Sequence, residues 1–216
     1  MIELSFRGAK GLGTVLCLGA HCDDIEIGCG GTILKLLNEH RAPKVHWVVL
    51  SGTPERKKEA ERAAQMFLKG SRRPTVEIHD FRDSFFPYDG KAIKESLQAL
   101  AAKISPDLIF THYRKDLHQD HRVVCDLTWN AFRNHCILEY EIPKYDGDLG
   151  RPNFFCGLDK QLCDRKIKNI LSAFRSQSKK QWFTEDTFRA LLRLRGVESN
   201  APGRYAEAFY CRKALF

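Results

Sequence analysis

Up to about residue 143, two hydrophobic patterns take turns along the chain. Short, nearly unbroken apolar runs, such as Thr14-Val15-Leu16-Cys17-Leu18-Gly19-Ala20, are followed by stretches in which apolar residues return every three or four positions. The first pattern predicts strands buried on both faces, as in a parallel sheet; the second predicts amphipathic helices. Strands are expected at 14–20, 45–50, 75–79 and 107–112, with a fifth at 137–142. Helices are expected from Thr32, just after Gly30-Gly31, and over 55–68, 91–104 and 119–134. Four strand–helix alternations imply an α/β fold: a Rossmann-like, mostly parallel sheet with helices on both faces, joined by right-handed crossovers.

Beyond Pro143 the pattern weakens. Tyr145-Asp146-Gly147-Asp148 and Gly150-Arg151-Pro152-Asn153 are turn-rich, while 159–174 and 184–194 have helical spacing. The expectation is one domain over 1–216, with an α/β core at 1–143 and a C-terminal lobe at 144–216 over the ligand edge of the sheet. In such sheets, ligands gather beyond the carboxyl ends of the strands. The loops at that edge run from His21 to Asp24, Ser51 to Arg56, Asp80 to Asp89 and His112 to His121, and they concentrate the polar chemistry. The opposite-edge connections, Ala42-Pro43-Lys44, Gly70 to Pro74 and Ser105-Pro106, carry none of it.

A chain of 216 residues buries enough surface to fold without disulfides. Its eight cysteines are scattered without a CxxC pair. Met1 to Arg7 has neither the basic nor the apolar part of a secretory leader. Reduced thiols and a cytoplasmic location are therefore expected, and no apolar run approaches the roughly 18 residues of a membrane span. Lys and Arg number 35 against 27 Asp and Glu, a net charge of +8. The excess is spread out (Lys57-Lys58, Arg72-Arg73, Lys179-Lys180), with no basic stripe of interleaved stacking aromatics, so nucleic acid is not an expected partner. A small anionic substrate is the economical use of that charge, with plain solubility equally open. The oligomeric state is not written in the sequence; a homo-oligomer is compatible with it.

Two clusters carry the chemistry. His21-Cys22-Asp23-Asp24 begins where the first strand ends, and the three-residue spacing lets His21 and Asp24 aim at one point while Asp23 points elsewhere. His118-Gln119-Asp120-His121 follows the fourth strand at a helix start, with His118 and His121 again three apart. Two neutral imidazoles and one carboxylate make a three-ligand catalytic zinc site with an open fourth position. Zinc so held lowers the pKa of a bound water to about 7 and polarises a carbonyl. A second carboxylate can then take the water's proton, and the remaining histidine can stabilise the oxyanion or protonate a leaving amine. That is amide hydrolysis. The same ligand types also make the facial triad of non-haem iron oxygenases. A non-catalytic module binding a nucleotide or sugar through its basic rim is a further alternative. Neither gives Asp23 any work. Gly28, Gly30 and Gly31 lack the G-x-G-x-x-G order of a dinucleotide loop and read as sites of close helix packing. His40, His46, His79, His112 and His135 have no partner pattern and read as ordinary surface or core residues.

The two clusters also resemble the LmbE-like, or PIG-L, zinc N-deacetylases. Their hallmark is Ala-His-Pro-Asp-Asp, a Gly-rich helix start and, about a hundred residues on, His-x-Asp-His. This chain has Ala20-His21-Cys22-Asp23-Asp24, Gly28-Cys29-Gly30-Gly31-Thr32 and His118-Gln119-Asp120-His121, and it closes with Tyr205-Ala206-Glu207-Ala208-Phe209, similar to the family's Ala-Glu-x-Phe. The resemblance implies that His21, Asp24 and His121 bind Zn2+ and that Asp23 is the general base. It further implies that His118 is the electrostatic and acid partner oriented by Asp120, and that Arg56 contacts substrate. The implied substrate is an N-acetylated amino sugar: a sugar nucleotide, glycan precursor, glycolipid or thiol-conjugated sugar. Cys22 stands where the family has proline; its side chain is expected to face away from the metal. Phe85-Phe86-Pro87-Tyr88 is placed on the ligand rim, either to stack on a sugar or to pack under the C-terminal lobe.

Overall fold

Five parallel strands form the centre of the molecule: β1 (Thr14–Gly19), β2 (Lys44–Val49), β3 (Thr75–Ile78), β4 (Leu108–His112) and β5 (Cys136–Tyr140). The computed structural model describes residues 11–38 and 43–215; Met1 to Arg7, His40 and Ala42, each read above from sequence, lie outside them. Six helices complete the core: α1 (Asp24–Leu37), α2 (Pro54–Phe67), α3 (Phe86–Lys103), α4 (Gln119–Ala131), α5 (Lys160–Ala173) and α6 (Glu185–Glu198). Alternation along each strand divides the core in two. Val15, Cys17 and Trp47 face a layer with Ile33, Phe67 and Ile170 from α1, α2 and α5. Leu16, Leu18 and Val48 face Phe86, Ile93 and Val124 from α3 and α4.

The strand order is β3-β2-β1-β4-β5-β7-β6. The order reverses between β1 and β4, which lie side by side with Val15 opposite Leu108 and Cys17 opposite Phe110. This switch point opens a crevice at the carboxyl edge. The loops leaving β1 and β4 carry the two clusters read from sequence, so topology alone joins residues about a hundred positions apart.

The C-terminal stretch adds two strands that the hydrophobic pattern did not reveal. β6 (Phe154–Leu158) and β7 (Tyr205–Cys211) extend the sheet beyond β5 in antiparallel fashion. β7 hides its strand character behind Glu207, a charged residue at a buried position. Two parts of this stretch reach back to the parallel core. Ser176 donates from its amide and hydroxyl to Glu59 on α2, and Lys144 pairs with Asp116 in the loop after β4.

α1 starts at Asp24, well before the expected Thr32, and runs through all three glycines. Each glycine in a helix interior costs about 1 kcal/mol relative to alanine. Packing requires them: a Cβ would strike the Tyr140 ring at Gly28, Phe67 at Gly30, and Leu158 and Glu207 at Gly31. α3 likewise begins at Phe86 instead of near Lys91, because Pro87 falls in its first turn, where the missing amide costs nothing.

Candidate active site

β1 passes almost directly into α1, and His21 to Asp24 form the turn between them. The His21 amide donates to Asp24 Oδ2 at 2.6 Å, which closes the turn and fixes the three-residue spacing. Asp23 is the N-cap of α1 but makes no side-chain cap bond. Its carboxylate is therefore free, and it accepts from Arg56 Nη2 at 2.7 Å. Across the crevice His118 caps α4, its Nδ1 accepting from the Asp120 amide at 3.2 Å. One turn on, His121 stacks against it, with ring centroids 4.6 Å apart.

Three donors from the two loops converge. His21 Nδ1 lies 3.2 Å from His121 Nε2 and 3.4 Å from Asp24 Oδ2, and His121 Nε2 lies 3.6 Å from Asp24 Oδ1. All three residues are buried. The far side of each imidazole is held, and Asp24 has a further partner of its own. His121 Nδ1 meets Asp116 Oδ2 at 3.0 Å, and Asp116 is fixed in turn by Lys144 Nζ at 3.0 Å and the His118 amide at 2.8 Å. His21 Nε2 lies 3.2 Å from both Asp120 Oδ2 and Asp83 Oδ1. Asp24 Oδ2 is 3.2 Å from His112 Nε2, whose ring stacks on His121 at 3.9 Å and 20°. His118, half-buried, stands edge-on to His21 with centroids 4.8 Å apart.

The charges are balanced by proximity. Burial works against ionisation of Asp24, but His121, His112 and His21 hold it well below the usual carboxylate range. Burial, aided by the neighbouring His112, depresses His121 to about 4, so this imidazole is neutral at physiological pH with Nε2 able to coordinate. Burial also opposes protonation of His21, yet Asp24, Asp120 and Asp83 together raise it well above an ordinary histidine. A metal at His21 Nδ1 would therefore displace a proton. Asp23 is pushed up by burial and partly pulled back by Arg56.

The sequence profile of the PIG-L family, described as GlcNAc-PI de-N-acetylase, matches residues 16–132, which include both clusters. The chain belongs to the PIG-L family. Solved structures with the same fold include N,N'-diacetylchitobiose deacetylase from Pyrococcus horikoshii, at 24% identity and a TM-score of 0.72, covering 93% of this chain and 84% of that one. The conserved protein TT1542 from Thermus thermophilus matches at 23% identity and 0.73, over 94% of this chain and 96% of its own. GalB, the 4-carboxy-2-hydroxymuconate hydratase from Pseudomonas putida, matches at 19% and 0.74, over 94% and 98%. The fold thus also carries a hydratase, and the reaction has to be argued from the site itself.

In this PIG-L chain His21, Asp24 and His121 meet in the crevice; the ligand atoms of His21, His118 and His121 form one close group there and those of Asp24, His112 and His121 another, while Asp23 turns to Arg56. Asp120 departs from its implied role. Its carboxylate contacts His21 Nε2 and accepts from the amides of Ser84 at 2.6 Å and Phe86 at 3.2 Å, so it orients His21; only its backbone amide meets His118. Arg56 is drawn onto Asp23. Cys22 does face away: its thiol donates to the Ser51 carbonyl at 3.3 Å, and burial pushes its pKa up to about 12. Phe86 is buried in the core while Tyr88 is exposed, so the aromatic loop is divided between packing and rim. Asp116, His112, Asp83 and Lys144 are site residues that sequence reasoning missed. His112 did carry a signal, as the last residue of a predicted strand at the carboxyl edge.

Proposed function

We propose that this PIG-L protein is a zinc-dependent hydrolase that removes the N-acetyl group from an amino-sugar derivative, with an anionic sugar conjugate as the best substrate. The observation that carries this reading is the spacing of the three donors. Tetrahedral zinc with ligands at about 2.0–2.1 Å sets them roughly 3.3 Å apart; here the two imidazole nitrogens are 3.2 Å apart, and the two oxygens of the Asp24 carboxylate lie 3.4 Å (Oδ2) from His21 Nδ1 and 3.6 Å (Oδ1) from His121 Nε2. His21, Asp24 and His121 would hold the ion. Bound there, zinc would polarise the acetamide carbonyl and acidify a water.

The chain's own residues supply the rest. Asp23 takes the proton of the attacking water at its carboxylate; Arg56 steadies that group, and burial raises its basicity. His118, lowered by burial and by the nearby His21, shuttles a proton to the departing amine. Asp116 holds His121 with Nδ1 protonated and Nε2 toward the donors, and Asp120 does the equivalent for His21. The reading of an anionic substrate rests on the net charge of +8 and on Lys57 beside Gly52 in the loop after β2. A cytoplasmic location agrees with the free thiols, and no helix among the described residues is long and apolar enough to cross a membrane.

The test pairs metal content with acetate release across N-acetyl sugars, with and without phosphate. One zinc per chain is expected, with hydrolysis abolished by chelation and higher kcat/KM for the phosphorylated members, an advantage that shrinks with salt. Full activity in zinc-free protein would refute the metal role. Equal rates on charged and neutral sugars would refute the anionic preference.

A further inference from the structure

One to two helical turns beyond the proposed ligand Asp24, α1 is engaged by an ion pair from distant parts of the chain. Glu207, on β7, accepts at Oε1 from the Gly31 amide at 2.7 Å. Its Oε2 accepts from the Thr32 amide and the Thr32 hydroxyl, both at 2.6 Å. Lys166, on α5, donates to Glu207 Oε1 at 2.5 Å and to the Ile27 carbonyl at 2.6 Å. Ile27 and Gly31 stand in the i−4 to i relation that forms one rung of a helix. Both ends of that rung are thus held by the two members of one ion pair, each member 3% exposed. α1 stays helical through this point.

A buried ion pair is weak evidence for a stabilising role, since apolar residues of similar volume often serve as well or better. Apolar residues could not accept two amides in the middle of a helix or donate to its carbonyl. The place is also the weakest part of α1, because Gly28, Gly30 and Gly31 give it little propensity of its own and their backbone is packed against Tyr140, Phe67 and Leu158. Upstream of the engaged rung lies a single turn, Asp24 to Ile27, with Asp23 as its cap.

We infer that Lys166 and Glu207 are positioning residues for the metal-binding turn: by gripping α1 at Ile27, Gly31 and Thr32, they fix where Asp23 and Asp24 stand relative to His121. This rests on the proposed zinc site. His121 comes from α4, packed on the opposite face of the sheet, so the pair on the α1 side sets one half of the site's geometry independently of the other half. A ligand displaced by a fraction of an ångström loses coordination without any loss of fold.

The experiment uses the full chain and the double variant Lys166→Met with Glu207→Gln, which removes both charges together and leaves neither one buried alone. Zinc affinity is measured by chelator competition, alongside thermal stability and hydrogen exchange of the amides of residues 24–27. The expected result is a folded protein with zinc affinity down about tenfold, faster exchange in that turn, and a lower kcat at unchanged KM. A folded double variant with wild-type zinc affinity and wild-type exchange would overturn the inference, leaving the pair a structural element only. Thr32→Val, which removes one bond to Glu207 and no charge, covers the case of a double variant that does not fold; a severalfold weaker zinc affinity supports the inference and an unchanged one overturns it. Should the wild-type protein bind zinc but release no acetate, the proposed reaction fails while the affinity comparison still decides the positioning role.

Discussion

Arg56 Nη2 donates to Asp23 Oδ1 at 2.7 Å, tying the first turn of α2 to the cap of α1 across the ligand edge. Burial raises the pKa of Asp23, and the guanidinium is the strongest influence pulling it back. The resemblance gave Arg56 to the substrate; the geometry gives it first to the base. Arg56→Met should therefore leave Asp23 harder to ionise. Because the deprotonated carboxylate is the active form, the acidic limb of the kcat/KM profile should move to higher pH, while Arg56→Lys moves it less. A limb that stays in place with a raised KM would return Arg56 to direct substrate contact.

The neighbouring aspartates should separate cleanly. Asp24 lies within 3.6 Å of both candidate ligand nitrogens, whereas Asp23 is turned to Arg56. Asp23→Asn should keep zinc and lose on the order of 10²–10⁴ in kcat, the usual scale for a general base. Asp24→Ala should lose zinc itself. Metal content and rate, measured on each variant, check both. The reverse pattern would exchange their roles.

The parallel core and the ligand edge were legible because apolar runs and turn residues report burial and chain reversal directly. His21, Asp24 and His121 were legible because short spacings after strands translate into shared directions. β7 was not, since Glu207 breaks the apolar run and is tolerated because Lys166, two helix amides and the Thr32 hydroxyl satisfy it; β6 was not, since its short run lies among turn residues and pairs only with β7. The early start of α1 was hidden for a related reason: glycines argue against helix locally, and it is side chains from other elements, Tyr140, Phe67, Leu158 and Glu207, that require them. Asp116 was invisible because its partner His121 is set by the fold of a loop. Nothing in a five-residue separation distinguishes a carboxylate that meets the ring from one that faces water.

Asp116 gives a prediction about affinity. Its Oδ2 is 3.0 Å from His121 Nδ1, and despite burial the bond to His121, with Lys144 nearby, keeps its pKa low. Asp116→Asn should weaken the hold on the imidazole and cost about 10- to 100-fold in zinc affinity. Activity should largely return at saturating zinc, because Asp23 and His118 are untouched. Chelator competition followed by rate measurements over a zinc titration checks this. Unchanged affinity would mean that packing alone orients His121, through its stacking on His112 and His118.

Glu26 offers a test that needs neither metal nor substrate. It lies in the first turn of α1, fully buried, and no other residue hydrogen-bonds its carboxyl oxygens among the described residues; the group's own backbone amide is the one donor near it. Burial, with Asp23 and Asp24 adding repulsion, raises its pKa well above the usual carboxylate value. A raised folded-state pKa means that the native protein keeps the proton after the unfolded chain has released it. The stability tied to that proton is fully present below the unfolded value of 4.5 and is lost as pH rises toward the folded one. Glu26→Gln removes the titration while keeping size and shape. Near pH 4 the metal-free variant and wild type should melt at similar temperatures. Above pH 4.5 the variant should gain by about 1.4 kcal/mol per pH unit until the folded pKa is reached. Paired thermal melts from pH 4 to 8 read the difference directly. A gap that narrows with rising pH, or a variant that is less stable at neutral pH, would mean that Glu26 is ionised in the folded protein and held by a cation or donor at its carboxylate.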